Sequence, residues 1–287
     1  MNDDTLPVPL IGPEALRDWI TRGVVLLDCS FDLMDTSLGE RQYREAHLPG
    51  AHYVHLERDL SGPKSGPDGR FRGRHPLPAR EAFAATAGAL GIAPATPVVV
   101  YDRKAAMYAV RAWWMLRWLG HAAVAVLDGG LAAWQAAGGT VDAEVPVPRP
   151  QPPYPLGTPR VATVDVDQVK QSLGRVALLD GRAPERFRGE VEPIDTQAGH
   201  IPGALNRFYG DNLGPDGRFK PRDRLRAEFA PLLGSAPERV IHYCGSGVTA
   251  CHNLLAAELA GWHGGLLYPG SWSEWSSDPS RPVARSA

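Results

Sequence analysis

The segment HYCGSGVTAC, from His242 to Cys251, sets a cysteine directly after a short apolar run and follows it with two glycines. RVIHY reads as a strand, CGSGV as a turn and TACHNLLAAELAG as a helix. Gly245 and Gly247 carry no Cβ, so the backbone beyond Cys244 can curl with its N–H groups pointing inward as an anion-binding nest. A helix N-terminus opening just past the turn adds partial positive charge at the same place. Together these favour negative charge on the Cys244 sulfur, or on a group the sulfur carries. The lining would come from Gly245, Gly247, Val248 and Thr249, with Thr249 placed to cap or line the first helical turn.

Three other readings of the segment compete. A lone cysteine at a strand end is often a buried structural residue, but the glycine loop and the helix start weigh against that here. His242, Cys244, Cys251 and His252 cluster in sequence, which raises a metal site. His242 and Cys244 share a strand face while Cys251 and His252 lie beyond the turn, and neither CxxC nor HxxxH spacing occurs. A cysteine phosphatase needs an arginine after five intervening residues to clamp phosphate, and that count from Cys244 ends on Ala250.

The elements that must hold this loop repeat along the chain. GVVLLDCS (Gly23–Ser30) matches GRVALLDGR (Gly174–Arg182), and EAHLPGA (Glu45–Ala51) matches AGHIPGA (Ala198–Ala204). PVVVYD (Pro97–Asp102) matches ERVIHYC (Glu238–Cys244), and VLDGGLAAW (Val126–Trp134) matches LYPGSWSEW (Leu267–Trp275). Four pairs in the same order mark a duplicated unit. The proline-crowded stretch between the copies, residues 142–160, reads as a semi-rigid linker. This divides the chain into an N-terminal domain (1–141), a linker (142–160) and a C-terminal domain (161–287). Short, uniformly apolar runs suit strands covered on both faces. They alternate with amphipathic stretches such as Ala105–Gly120 and Thr249–Gly261, where the glycines are candidate C-caps. The fold class is α/β, two tandem domains each built on a mainly parallel sheet flanked by helices. In such sheets chemistry sits at the carboxyl ends of strands, which is where Cys244 falls.

Composition narrows the function classes. Apolar residues make up 44% and charged residues 22% of the 287, and the net charge of −2 gives no bulk attraction for nucleic acid or a membrane surface. No apolar stretch approaches the ~20 residues needed to span a bilayer, and the opening MNDDTLPVPL lacks the pattern of a secretory signal. Three cysteines are too few, and odd in number, for a disulfide framework. The expectation is a soluble, cytoplasmic protein.

CGSGVTAC resembles the active-site loop of the mercaptopyruvate sulfurtransferases, members of the rhodanese superfamily. The AHLPGA and GHIPGA turns and the DGG-x-x-x-W and PGSWSEW segments resemble the superfamily's other landmarks. The resemblance implies two rhodanese-like domains, only the second carrying the sulfur-accepting cysteine. Asp102 stands at the matching position of the first, where no persulfide can form. The implied reaction moves a sulfane sulfur from 3-mercaptopyruvate through a Cys244 persulfide to a thiol, cyanide or thioredoxin-like acceptor, as covalent catalysis in two steps. It calls for neither a metal nor an organic cofactor. Thiosulfate is the alternative donor, and a non-catalytic binding or sulfur-carrier module the more distant alternative.

The resemblance also implies roles for other residues. Arg186, in GRAPERFRGE, matches the arginine that grips the donor's carboxylate, whereas Arg182 reads as part of a structural ion pair. A second arginine of the family is missing, with Ile194 and Asp195 standing roughly where it belongs. Against a thiosulfate preference, Gly245 and Ser246 replace the two basic residues that follow the cysteine in vertebrate thiosulfate enzymes. Ser246 matches a loop serine proposed to help protonate the leaving enolate, together with His75 and an acid at Glu57, for which Asp59 is a rival. His47 and His200, in the H-[LI]-P-G turns, read as structural, and Trp113, Trp114 and Trp118 as core.

Overall fold

The computed structural model describes residues 5–234 and 239–286; Glu238, at the start of one repeat, and the first four residues lie outside them. The chain forms two compact units. One comprises Met1–Ser61, Pro78–Arg160 and Asp216–Arg218; the other comprises Gly62–Leu77, Val161–Pro215 and Phe219–Ala287. Residues 62–77, from the N-terminal half of the sequence, therefore belong to the second unit. The proline-rich stretch packs on the first: Gln151 and Tyr154 donate backbone N–H groups to Gly88 and Ala84, and Gly157 donates to Leu119.

Each unit holds a five-stranded, all-parallel sheet. The first contains β1 (Leu10–Ile11), β2 (Val25–Asp28), β3 (His52–Tyr53), β4 (Val98–Tyr101) and β5 (Val124–Leu127), ordered β1-β5-β4-β2-β3. The second contains β6 (Ala162–Thr163), β7 (Leu178–Asp180), β8 (Leu205–Asn206), β9 (Ile241–Tyr243) and β10 (Leu266–Leu267), ordered β6-β10-β9-β7-β8. β4, β5, β7 and β9 are buried at every position, as strands covered on both faces must be. Trp113 and Trp114 are fully buried.

The duplication extends to side-chain detail. Asp28 pairs in register with Tyr101, and Asp180 with Tyr243. Each tyrosine hydroxyl then accepts a backbone N–H from an H-[LI]-P-G turn, Leu48 on Tyr101 and Ile201 on Tyr243. The turn histidines are structural: His47 Nδ1 meets the Tyr43 carbonyl at 2.6 Å and its ring stacks on Tyr43, while His200 Nδ1 meets the Phe187 carbonyl at 2.7 Å and stacks on Phe187.

The two helices beyond the central strands begin differently from the sequence expectation. The helix expected from Ala105 spans Ala109–Leu119, because the residues before it wrap around Asp102. It ends on Gly120 at φ 101°, the left-handed cap expected there. In the second unit the helix is Ala250–Leu259, with Thr249 at the cap position. The Thr249 side chain makes no capping hydrogen bond, which corrects that part of its expected role.

His242 lies on β9, 1% exposed, with no hydrogen-bond partner for Nδ1, and burial drives its pKa down to about 3. The folded state thus disfavours a proton that the unfolded chain accepts near the ordinary 6.5. Its contribution to stability is complete above about pH 6.5 and is lost as pH falls toward 3. For one proton the slope is at most about 1.4 kcal/mol per pH unit. Urea unfolding between pH 7 and 4 should show this fall, and the His242→Leu variant a shallower one; identical slopes would contradict it.

Candidate active site

Cys244 follows β9, the central strand of the second sheet, and is 1% exposed. The PGSWSEW segment buttresses it from behind. The Cys244 N–H donates to the Ser271 hydroxyl at 3.1 Å, which donates in turn to the Tyr268 carbonyl at 2.9 Å. The Cys244 and Gly245 carbonyls accept from the Trp272 and Ser273 N–H groups, both at 2.9 Å. Ser271 sits at φ 53°, a left-handed conformation that a serine rarely takes. The matching residue of the first unit is Gly130, at φ 59°.

What such a loop does with an anion is visible in the first unit. The Asp102 carboxylate, completely buried, accepts four backbone N–H groups: Lys104 at 2.7 Å and Ala106 at 3.0 Å on one oxygen, Tyr108 at 2.7 Å and Ala109 at 2.9 Å on the other. Burial pushes this carboxyl above its ordinary pKa against the opposing pull of the four donors. The equivalent stretch after Cys244 is Ser246–Cys251.

Gly247 takes φ 75° at the position matching Ala105, which takes φ 51°. Left-handed strain of ~1–2 kcal/mol is therefore tolerated by an alanine in this kind of loop. A Cβ on Gly247, however, would lie 2.4 Å from the Pro269 carbonyl oxygen, so close approach is what demands glycine there. Gly245 has a different reason: its Cβ would meet Arg74 Nη2 at 2.8 Å, with Arg186 Nη1 at 3.7 Å.

The segment 62–77 delivers two side chains to this loop. His75 Nδ1 lies 2.8 Å from the Ser246 hydroxyl, both residues buried. Arg74 is held through its backbone N–H, which donates to Ser273 Oγ at 3.0 Å. Sequence reasoning missed Arg74, although GRHPLP placed it beside a residue already singled out. Arg186 donates through Nη2 to Glu192 at 2.6 Å and to Asp195 at 3.1 Å, and Asp195 also bonds Arg74 Nη1. Burial opposes ionisation of Glu192, yet the Arg186 bond and the N–H groups of Asp195 and Ile194 hold it below the ordinary range. Arg182 forms the structural ion pair expected of it, 2.6 Å from Asp180, and lies over the Trp272 ring.

The remaining sequence candidates fall as follows. Val248 is buried in the loop and Thr249 half-buried at the helix start. Cys251 is buried in the first helical turn, its Sγ 3.5 Å from the Gly247 carbonyl. Glu57 belongs to the first unit, on the four-residue helix Leu56–Asp59, with its N–H capped by His55 Nδ1 at 3.2 Å. Its rival Asp59 accepts the His55 N–H at 2.7 Å and pairs with Arg58. His252 meets Asn212 Nδ2 at 3.1 Å and stacks on Phe219.

Residues 12–137 and 165–278 each match the rhodanese-like domain. The chain is 49% identical over 271 residues to a probable 3-mercaptopyruvate sulfurtransferase of Pseudomonas aeruginosa, covering 91% of this chain and 92% of that one. It is 43% identical over 270 residues to the putative thiosulfate sulfurtransferase SseB of Mycobacterium tuberculosis, covering 91% of each. The solved 3-mercaptopyruvate sulfurtransferase from Leishmania major superposes with a TM-score of 0.82 at 30% identity, over 94% of this chain and 74% of that one. The chain belongs to the rhodanese family.

Replacing Gly247 by alanine should lower stability by about 2 kcal/mol or more, since strain and a backbone clash add. Thermal unfolding of the variant checks this; an unchanged midpoint would show that the Pro269 contact is not rigid.

Proposed function

We propose that this protein transfers a sulfane sulfur from 3-mercaptopyruvate, through a persulfide on Cys244, to a thiol or cyanide acceptor. The observation that carries the reading is the buried cysteine at the carboxyl end of a central strand with the Ser246–His75 pair, 2.8 Å apart, beside it. The relative of Pseudomonas aeruginosa named for 3-mercaptopyruvate supports the donor.

In the first step the Cys244 thiolate attacks the donor sulfur. A sulfur–sulfur bond forms, the carbon–sulfur bond breaks, and its electron pair departs as the enolate of pyruvate. The backbone N–H groups of Ser246 to Ala250 hold the negative charge on the sulfur, as the N–H groups of the matching residues Lys104, Ala106 and Tyr108 hold Asp102. Arg186 takes the donor's carboxylate; a guanidinium matches a carboxylate geometrically and stays charged. Ser246, oriented by His75, passes a proton to the enolate. In the second step an acceptor thiolate or cyanide attacks the outer sulfur, taking it and releasing the Cys244 thiolate. The acceptor is a low-molecular-weight thiol, cyanide or a thioredoxin-like protein. Among the described residues no helix is long and apolar enough to cross a membrane; we place the reaction in the cytoplasm, a reducing compartment that keeps thiol acceptors available.

Thiosulfate is a second reading, favoured by the second guanidinium, Arg74, beside Gly245 and by the relative of Mycobacterium tuberculosis named for it. Turnover of the two donors on the purified protein separates them.

Intact-mass measurement after donor treatment should show a gain of one sulfur atom that maps to Cys244. Cys244→Ser should abolish transfer with unchanged circular dichroism. A sulfur mapped to Cys29 or Cys251, or turnover surviving in that variant, would remove the mechanism. Ser246→Ala should lower kcat with mercaptopyruvate by ~10²–10⁴-fold, the range lost with a positioned proton donor, and affect thiosulfate turnover far less, because thiosulfate leaves no enolate.

A further inference from the structure

Two guanidinium groups converge on Gly245, but a single carboxylate stands between them. Asp195 places one oxygen on Arg74 and the other 3.1 Å from Arg186, and its side chain is only 4% exposed. Its carboxylate is hydrogen-bonded to these two guanidinium groups, whereas Glu192 is fixed by Arg182, Arg186 and two backbone N–H groups. Arg74 and Arg186 are each 18% exposed, and the Nε of each is buried with no hydrogen-bond partner. Each guanidinium therefore keeps a partly exposed face, while Asp195 and Glu192 together balance the charge of the pair. Burial also pushes the Asp195 carboxyl up, so its negative charge sits where solvation supports it least.

The geometry points to Arg74 as a second donor-binding residue and to Asp195 as the resident counter-ion that sets which donor charge the site accepts. This rests on the sulfurtransferase reading above. With Asp195 in place, Arg74 and Arg186 together with Asp195 and Glu192 sum to no net charge. A monoanionic mercapto-acid then needs only one guanidinium face, while a dianion such as thiosulfate meets the repulsion of Asp195 twice over. Asp195 acts through the arginines and is a positioning residue; Arg74 itself touches the donor's anionic group.

The test uses Asp195→Asn, Arg74→Gln and the double variant in the full-length protein, with two readouts. The first is protection of Cys244 from iodoacetamide by inorganic sulfate, a dianion, and by pyruvate, a monoanion. Because Coulomb energy scales with ligand charge, Asp195→Asn should lower the half-protecting concentration by about 3-fold for pyruvate and about 10-fold for sulfate. Arg74→Gln, which leaves Asp195 on Arg186, should raise both, and the double variant should lose the extra gain for sulfate. The second readout is the ratio of kcat/KM for thiosulfate to that for mercaptopyruvate, which should rise several-fold in Asp195→Asn. A merely structural aspartate would shift both ligands and both donors alike. Equal shifts, no shift, or Arg74→Gln without effect on sulfate protection would overturn the proposal. Wild-type protein that turns over neither donor, yet shows the protection pattern, would fail the sulfurtransferase reading and leave the charge selection standing. If Asp195→Asn unfolds, Arg74→Gln decides through sulfate protection alone.

Discussion

A negative charge buried at the end of a central strand must be met by backbone N–H groups, and much of each unit is arranged to allow that. In the first unit the demand comes from Asp102, whose four donors delay the following helix until Ala109. In the second the strand ends instead on Cys244, and the loop is left-handed at Gly247 alone, where the first is left-handed at both Ala105 and Ala106. The neighbouring strand-to-helix turn supplies the backing in both. The Leu131 N–H bonds the Asp102 carbonyl at 3.1 Å, and the Trp272 N–H bonds the Cys244 carbonyl at 2.9 Å. One loop thus holds the buried Asp102 carboxylate, and the other opens beyond the buried Cys244 thiol.

Around that loop the second unit keeps its cations and anions in near balance. Arg182 is committed to Asp180, under the strand register that aligns Asp180 with Tyr243. Arg186 is shared between Glu192 and Asp195, and Arg74 meets Asp195. Buried ion pairs seldom add net stability, since desolvation offsets their attraction. Their use here is positional: they hold guanidinium groups over Gly245 without letting positive charge accumulate uncompensated.

Much of this was legible in the residues. The four repeats and the apolar strand runs mark both parallel sheets, and the loop pattern marks Cys244 and its glycines, because strands and glycine turns are dictated within a few residues. Arg186, Ser246 and His75 are marked only by the resemblance to the mercaptopyruvate sulfurtransferases. Asp195 was noted only as the absence of an arginine, and its bridging role depends on Arg74, 121 positions away. No periodicity announces such a contact. The late start of the helix at Ala109 escaped for a related reason: Ala105–Tyr108 have helical composition, and only the carboxylate at their centre overrides it.

The course of residues 62–77 has a consequence for how such a chain can change over generations. The two copies read as beads on a string, joined at a proline-rich segment where exchange of halves between genes would be easiest. A crossover there would carry His75 and Arg74 away with the first copy and leave Cys244 with the second. The hybrid would fold two familiar sheets and yet surround its cysteine with another lineage's histidine and arginine. Exchange at the linker would thereby split the second unit, because the strip of chain that completes it is spelled inside the first copy.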